Sequence, residues 1–371
     1  MEEYILKALK DSDMKVKSVV ISNEKSKYGL LHESVKKLTV FTDEGILPLV
    51  MKTVNRTHTP EQLFKMLYRE CEDEEHKVDL ERFGAYCHYL SMKQMPEREE
   101  FFYRNIPEII KKFIPMIWGC FEQKDKIIFI MEDLSNCINM DKIDVPESWN
   151  KQHLLLAMHD MAVIHYGLSS LMNPLKDKFF CSVDYSSIMK FLWEFHDTVT
   201  MGCGIKVEHK VYEAGKTFIL HIEDIERVLS SYETVIHNDF NIRNICISET
   251  GENLKVYDWE FLNIGNPMFD VLDLLLSISS EYINREAIYH MVCEYTLCCK
   301  KMGIIEVKPL TYMKLLYFCS MKYAATRMNM YLLCYRQKKH KYIERMYHNL
   351  KLILELYESE ERIFDGEKWK L

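Results

Sequence analysis

Strand-like periodicity occupies one end of this chain and helical periodicity the other, so its hydrophobic residues must be buried by two kinds of packing. The runs KVKSVVIS (15 to 22), SVKKLTVFT (34 to 42) and ILPLVMKTV (46 to 54) are short and β-branched, and Asp43, Glu44 and Gly45 supply a turn between the last two. They predict a meander of antiparallel strands after a short N-terminal helix. From 60 to 112 the period becomes helical, with Leu63, Phe64 and Leu67, then Phe83, Tyr86 and Leu90. Two further strand-like runs follow, MIWGCFE (116 to 122) and KIIFIME (126 to 132), so a small sheet carrying a packed helix is expected. Beyond residue 147 amphipathic stretches dominate, at 150 to 168, 184 to 200, 210 to 231, 284 to 302 and 309 to 357. TVIH, NICIS and LKVYD, between 234 and 258, break that pattern; with the turn ETGEN they predict a loop and a hairpin set among helices. The expected architecture is α+β in two lobes, a small antiparallel-sheet lobe at 1–133 and a larger, mainly helical lobe at 134–371. The boundary falls just after Met131 to Leu134, where the polar stretch SNCINMDK begins.

A length of 371 residues suits two such units. Hydrophobic residues at 48%, with only 12 Gly and 9 Pro, describe a well-packed, helix-leaning globular protein. The formal net charge of -8 argues against a phosphate-backbone binder and leaves room for a cationic substrate or a metal-filled acidic cleft. The start MEEYILKALKDSD is acidic and amphipathic, unlike a signal peptide, and the 12 cysteines lack paired C-x-x-C spacings. No apolar run approaches the ~18 residues of a membrane span. These features predict a soluble, cytoplasmic protein with reduced, buried cysteines and neither a membrane nor a nucleic-acid partner.

The chemistry concentrates in His237-Asn238-Asp239-Phe240-Asn241-Ile242-Arg243-Asn244, followed fourteen residues later by Asp258 at the end of LKVYD. The spacing H-x-D-x4-N arises by chance in about one chain per hundred of this length, but a following hairpin that delivers a second Asp makes it far more specific. Phosphoryl transfer needs a carboxylate near the attacking hydroxyl and oxygen ligands that hold magnesium against nucleotide phosphates. Asp239 suits the first role, Asn244 and Asp258 the second. His237 either orients the loop by hydrogen bonding or is a satisfied histidine at a strand end. In the first lobe, Lys52 lies among apolar residues of LPLVMKTV, where a strand lysine facing a cleft can meet phosphates and be fixed by a helix Glu. Glu97, Glu99 and Glu100 are the candidates for that Glu.

Six segments, in order through most of the chain, resemble the aminoglycoside phosphotransferase and choline kinase group, especially its ecdysteroid-kinase-like branch. They are LPLVMKTV, EEFFYRNIP, IFIMEDL, LLLAMHDMAVIHYG, VIHNDFNIRNICIS and LKVYDWEFLNIGNPMFDVLDLL. The resemblance implies a two-lobed protein-kinase-like fold that uses ATP and Mg2+. It implies Asp239 as catalytic base, Asn244 and Asp258 as magnesium ligands, Lys52 on the ATP phosphates and Glu99 steadying Lys52. Met131, Glu132, Asp133 and Leu134 would form the inter-lobe hinge, whose main chain pairs with adenine. Three features depart from the group. Asn238 stands where Gly is common, though Asn tolerates unusual backbone angles. The segment SNEKSKYGLLHES offers only Gly29 in place of a glycine-rich loop, leaving Ser22, Ser26 and backbone N–H groups to cover phosphates. Asp258-Trp259-Glu260 replaces the D-F-G of protein kinases, and Glu260 either reaches the metal or a cationic substrate or caps local structure.

No A-P-E motif or regulated segment follows Asp258, so the expected acceptor is a hydroxyl of a small molecule: an aminoglycoside, a choline-like alcohol, a sugar or a steroid. The aromatics of FLWEFHD (191 to 197) and of 312 to 335 read first as core. Any that line the site, Trp193, Tyr317 or Tyr323, would stack on the acceptor, while Glu194 and Asp197 would suit an aminoglycoside. The alternative is a pseudokinase, a nucleotide-binding or scaffold module. A metal-dependent hydrolase using His237, Asp239 and Asp258 lacks a fuller ligand set.

Overall fold

The computed structural model describes residues 2–10, 14–22, 32–57, 86, 89, 94–179, 185–202, 208–303, 308–337 and 339–361. Five strands, β1 (Val16–Ser22), β2 (His32–Thr42), β3 (Ile46–Asn55), β4 (Ile117–Gln123) and β5 (Lys126–Glu132), form one antiparallel sheet in the order β1-β2-β3-β5-β4. Strand side chains alternate between faces. Leu38, Val40, Leu49, Met51, Ile128 and Ile130 therefore pack on one face with Ile5 and Leu9, from and just after helix α1 (Glu2–Ala8). Val54, Ile127, Phe129 and Met131 turn the other way, onto Phe102 and Tyr103 of helix α2 (Met95–Arg104). Lys52 shares the parity of Val54, and a one-residue slip of β3 would carry it to the α1 side. Of the helical periodicity expected over 60 to 112, Leu63, Phe64, Leu67, Phe83 and Leu90 lie outside the described residues.

The remainder is mainly helical: α3 (Lys151–Leu168), α4 (Met172–Phe179), α5 (Tyr185–Gly202), α6 (His209–Leu220), α7 (Ile222–Ser230), α8 (Met268–Ser277), α9 (Arg285–Lys301), α10 (Pro309–Ala325), α11 (Arg327–Gln337) and α12 (Lys341–Glu361). Two small sheets interrupt it. β7 (Ile245–Ile247) pairs with β8 (Leu254–Val256) as the expected hairpin. β6 (Thr234–Ile236) pairs instead with β9 (Asn263–Gly265), a partner the sequence did not suggest. One apolar core runs from the inner sheet face through these helices to Tyr357. The molecule is thus α+β, a small antiparallel sheet followed by a mainly helical remainder.

Two long helices expected from periodicity are broken. The stretch 210 to 231 divides at His221, whose φ of -119° and ψ of 26° are non-helical. The stretch 309 to 357 becomes three helices, and Thr326 (φ -122°, ψ -92°) ends the first, its carbonyl accepting from the Tyr86 hydroxyl at 2.9 Å. A break of one residue leaves the apolar phase nearly intact, which is why periodicity misses it. The run Lys151–Phe179 has the length and apolarity of a membrane span, more than the sequence reading allowed, but 61% of its most apolar window is buried in the protein. It is central to the helical core.

Candidate active site

The loop 237–244 joins β6 to β7 and is positioned from outside itself. Asp270, fully buried on α8, accepts the backbone N–H groups of His237 at 2.8 Å and of Asn238 at 2.7 Å. His165 on α3 donates through Nε2 to the same carboxylate at 2.9 Å, and its Nδ1 meets the Tyr295 hydroxyl at 2.8 Å. Asn238 takes the left-handed conformation (φ 63°), which Asn adopts more readily than most residues, and its amide donates to the Phe261 carbonyl at 3.1 Å. His237 donates from Nε2 to the Tyr257 carbonyl at 2.9 Å, while its Nδ1 accepts from the Asp239 N–H at 3.2 Å. Of the two roles left open for His237, it performs the loop-orienting one.

The carboxylate of Asp239 is held in turn by amides on its own loop. Asn244 donates to Oδ2 at 2.6 Å and Asn241 to Oδ1 at 2.9 Å. Hairpin register does the next step: Ile245 opposes Val256, and the Tyr257 N–H donates to the Asn244 carbonyl at 3.1 Å. This sets Asn244 across the hairpin base from the residue preceding Asp258, which itself adopts φ 65°.

Lys52 reaches this unit from the sheet. Its Nζ lies 2.6 Å from Glu99 Oε1 and 2.6 Å from Asp258 Oδ1, joining β3, α2 and the hairpin. Burial opposes the ammonium charge, but Asp258 and Glu99 outweigh it and raise the lysine pKa above its ordinary value. Helix α2 is keyed to the same place, because Phe102 stacks on Trp259 at 3.9 Å and Arg98 donates to the Leu262 carbonyl at 2.8 Å. Among the three glutamates, Glu99 faces inward and is fully buried, while Glu100 pairs with Arg56 at 2.6 Å and with Arg104 at 2.9 Å. Glu97 lies 3.9 Å from Arg56.

Carboxylate oxygens of Glu99, Asp258 and Glu260 lie within 4.8 Å of one another. Burial first, and then the Asp258 charge, push the Glu260 carboxyl well above the usual carboxylate range. Glu99, Asp258 and Glu260 thus form an all-oxygen donor set of the kind a hard divalent cation takes.

Of the residues expected at the hinge, Met131 and Glu132 end β5, and Glu132 accepts from Lys255 of β8 at 3.2 Å. Asp133 caps the N–H of Ser135 at 2.9 Å, and the Leu134 carbonyl accepts from Cys137 at 2.9 Å. Ser26 and Gly29 lie outside the described residues, whereas Ser22 ends β1. Of the acceptor-site residues expected, Tyr323 is fully buried and Asp197 is taken by Lys216 at 2.8 Å and Tyr212 at 2.7 Å. Lys216 also covers Trp193, 3.6 Å from its ring centre.

Sequence reasoning missed Asp270, Asp273 and Arg327. Arg327 Nη1 lies 3.0 Å from Asp273 Oδ2 and 3.9 Å from Asp239 Oδ1, and Arg243 Nη2 lies 3.3 Å from Asp239 Oδ2. The two acids had a signal: two Asp three residues apart in the otherwise apolar helix MFDVLDLLLS are buried charges in need of partners. Arg327 had none.

A sheet lysine paired with a helix glutamate, facing a loop and hairpin that carry Asp, Asn and Asp, defines a kinase-like class of protein. Comparison with known proteins bears on the particular family. Residues 180–290 match the model of the phosphotransferase enzyme family, APH. No curated protein matches the chain. Among solved structures, the chain is similar to an ethanolamine kinase of Plasmodium vivax, with 11% identity over 91% of this chain and 82% of the other and a TM-score of 0.49. It is also similar to a choline/ethanolamine kinase family protein of Mesorhizobium loti, with 10% identity over 98% of this chain and 99% of the other and a TM-score of 0.47.

Proposed function

We propose that the protein is a cytoplasmic ATP- and magnesium-dependent phosphotransferase of the ecdysteroid-kinase-like kind, which moves the γ-phosphate to a hydroxyl of a small molecule. The observation that carries this reading is the Lys52 ammonium at 2.6 Å from both Glu99 and Asp258, because it brings the sheet, the helix and the hairpin to one point. In this reading the nucleotide lies between 1–133 and 134–371. The main chain of Met131 to Leu134 takes adenine, Lys52 meets the phosphates, and Glu99 keeps the ammonium aimed and charged. Asn244 and Asp258 hold magnesium, with Glu260 beside them; the ion supplies charge neutralisation at the phosphates. Asp239 accepts a hydrogen bond from the acceptor hydroxyl and takes its proton as the oxygen attacks. The fixed amides of Asn241 and Asn244 keep its carboxylate in place, so catalysis is chiefly positioning and electrostatics.

The test is coupled ADP release with ATP and magnesium against aminoglycosides, choline, ethanolamine, sugars, nucleosides and hydroxysteroids, with Asp239→Ala as control. Turnover with an acceptor that is lost in the variant supports the reading. Failure to bind magnesium–ATP overturns it, and binding without turnover on any of these acceptors or on carboxylate- and phosphate-bearing alcohols indicates a pseudokinase.

A further inference from the structure

We infer that the acceptor carries an anionic group, a carboxylate or a phosphate, near the hydroxyl to be phosphorylated, and that Arg327 and Arg243 bind it; this rests on the phosphotransferase reading above. Asp239 lies between two guanidinium groups, Arg243 Nη2 at 3.3 Å from one oxygen and Arg327 Nη1 at 3.9 Å from the other. The Arg327 side chain is only 9% exposed, and its Nη2 is buried with no hydrogen-bond partner among the described residues. Its guanidinium lies against Phe261 at 5.3 Å and Phe269 at 5.8 Å, apolar surroundings in which its charge is poorly screened.

Asp273, which pairs with Arg327 at 3.0 Å, offsets its charge only in part. Burial, opposed by Arg327 and helped by the charges of Asp239 and Asp270, pushes the Asp273 carboxyl up to about 7. Asp239 thus faces two guanidinium groups, one on each carboxylate oxygen. An ammonium group brought to Asp239 would meet both guanidiniums at close range, which discriminates against it. A carboxylate or phosphate would instead accept from a guanidinium whose second nitrogen is already oriented by Asp273, the planar fork for which arginine is suited. In the reaction the acceptor oxygen bonds to the γ-phosphorus, the bond to the ADP oxygen breaks, and the acceptor proton goes to Asp239 and then to solvent.

The experiment uses four probes on one three-carbon skeleton: glycerate, glycerol 3-phosphate, glycerol and 3-amino-1,2-propanediol. Each is titrated calorimetrically into the full chain with magnesium and a non-hydrolysable ATP analogue, and each is assayed for ADP release with ATP. The expected result is that an anionic probe binds at least about tenfold more tightly than glycerol and the amine, as one charge-assisted contact provides. The two anionic arms separate carboxylate from phosphate. Arg327→Met and Arg243→Met should each erase the preference, raising KM for the anion, and Arg327→Lys should restore part of it. Should Arg327→Met fail to fold, Arg243→Met decides, since that side chain is 27% exposed. Equal or absent binding across the four, preference for the amine, or a preference that survives both substitutions overturns the inference. Phosphorylation of the amine would do so while leaving the kinase reading intact, whereas failure to bind the magnesium nucleotide would sink that reading itself.

Discussion

Burial alone would drive the Lys52 ammonium toward its neutral form, and it is the Glu99 and Asp258 carboxylates, each at 2.6 Å, that reverse the outcome. Lys52→Met would leave those carboxylates and Glu260 facing one another. We expect it to destabilise the fold by about 3–5 kcal/mol, measured by denaturant unfolding, because breaking a buried pair strands the remaining charge. Asp239→Asn keeps the shape of the side chain and removes the carboxylate proposed to accept the proton. It should lower kcat by about 10²–10⁴-fold in the coupled assay while magnesium–ATP affinity by calorimetry stays within error. Asp273 gives a pH signature. Its carboxyl rises from an ordinary 3.8 to about 7, so between those values the folded chain holds a proton that the unfolded chain has released. Its contribution to stability is complete below the lower value and is lost as pH rises through the upper one. The wild-type melting temperature should therefore contain a component that falls across that window and is missing from Asp273→Asn; identical pH profiles would refute this. At this scale the sequence disclosed residue types and spacing, so Asp239, Asn244 and Asp258 were legible. Arg327 was not, since nothing around it in sequence tells an inward arginine from a solvated one.

The loop 237–244 has no regular structure of its own, and its shape is imposed by α8, α3 and the β7–β8 hairpin through Asp270, His165 and Tyr257. Removing the Asp270 carboxylate orphans two buried N–H groups as well as His165. Asp270→Ala should cost about 2–6 kcal/mol from the two stranded backbone donors alone, at 1–3 kcal/mol each, and should abolish turnover at temperatures where circular dichroism shows the variant still folded. Element identity was largely readable: the five strands were expected within about two residues of where they lie, because alternation and turn residues are local signals. The breaks at His221 and Thr326 were not, because each is fixed by contacts from elsewhere in the chain or by a single backbone rotation that leaves the amphipathic pattern in phase.

Across the whole molecule a continuous apolar core extends from the inner face of the sheet to α12, and Lys52–Asp258 and Arg98–Leu262 tie the sheet region to the hairpin region. Shared packing of this kind predicts one cooperative unfolding transition, with fluorescence and far-ultraviolet circular dichroism coincident in urea; separated midpoints would show two independent units. Magnesium–ATP at a hundred times its Kd should stabilise the fold by about 2.7 kcal/mol, and a chelator should remove most of that gain. The sequence by itself determined the class of the fold and the chemistry-bearing motif, since hydrophobic period and the spacing of Asp239, Asn244 and Asp258 are written along the chain. Residue pattern alone left Glu97, Glu99 and Glu100 open and the family resemblance implied Glu99, which is the one that meets Lys52; only the tertiary structure decided that Asp270 anchors the loop and that two arginines flank Asp239. Those choices depend on which faces of separate elements are brought together, and side-chain direction across such distances is settled by packing, not by local sequence.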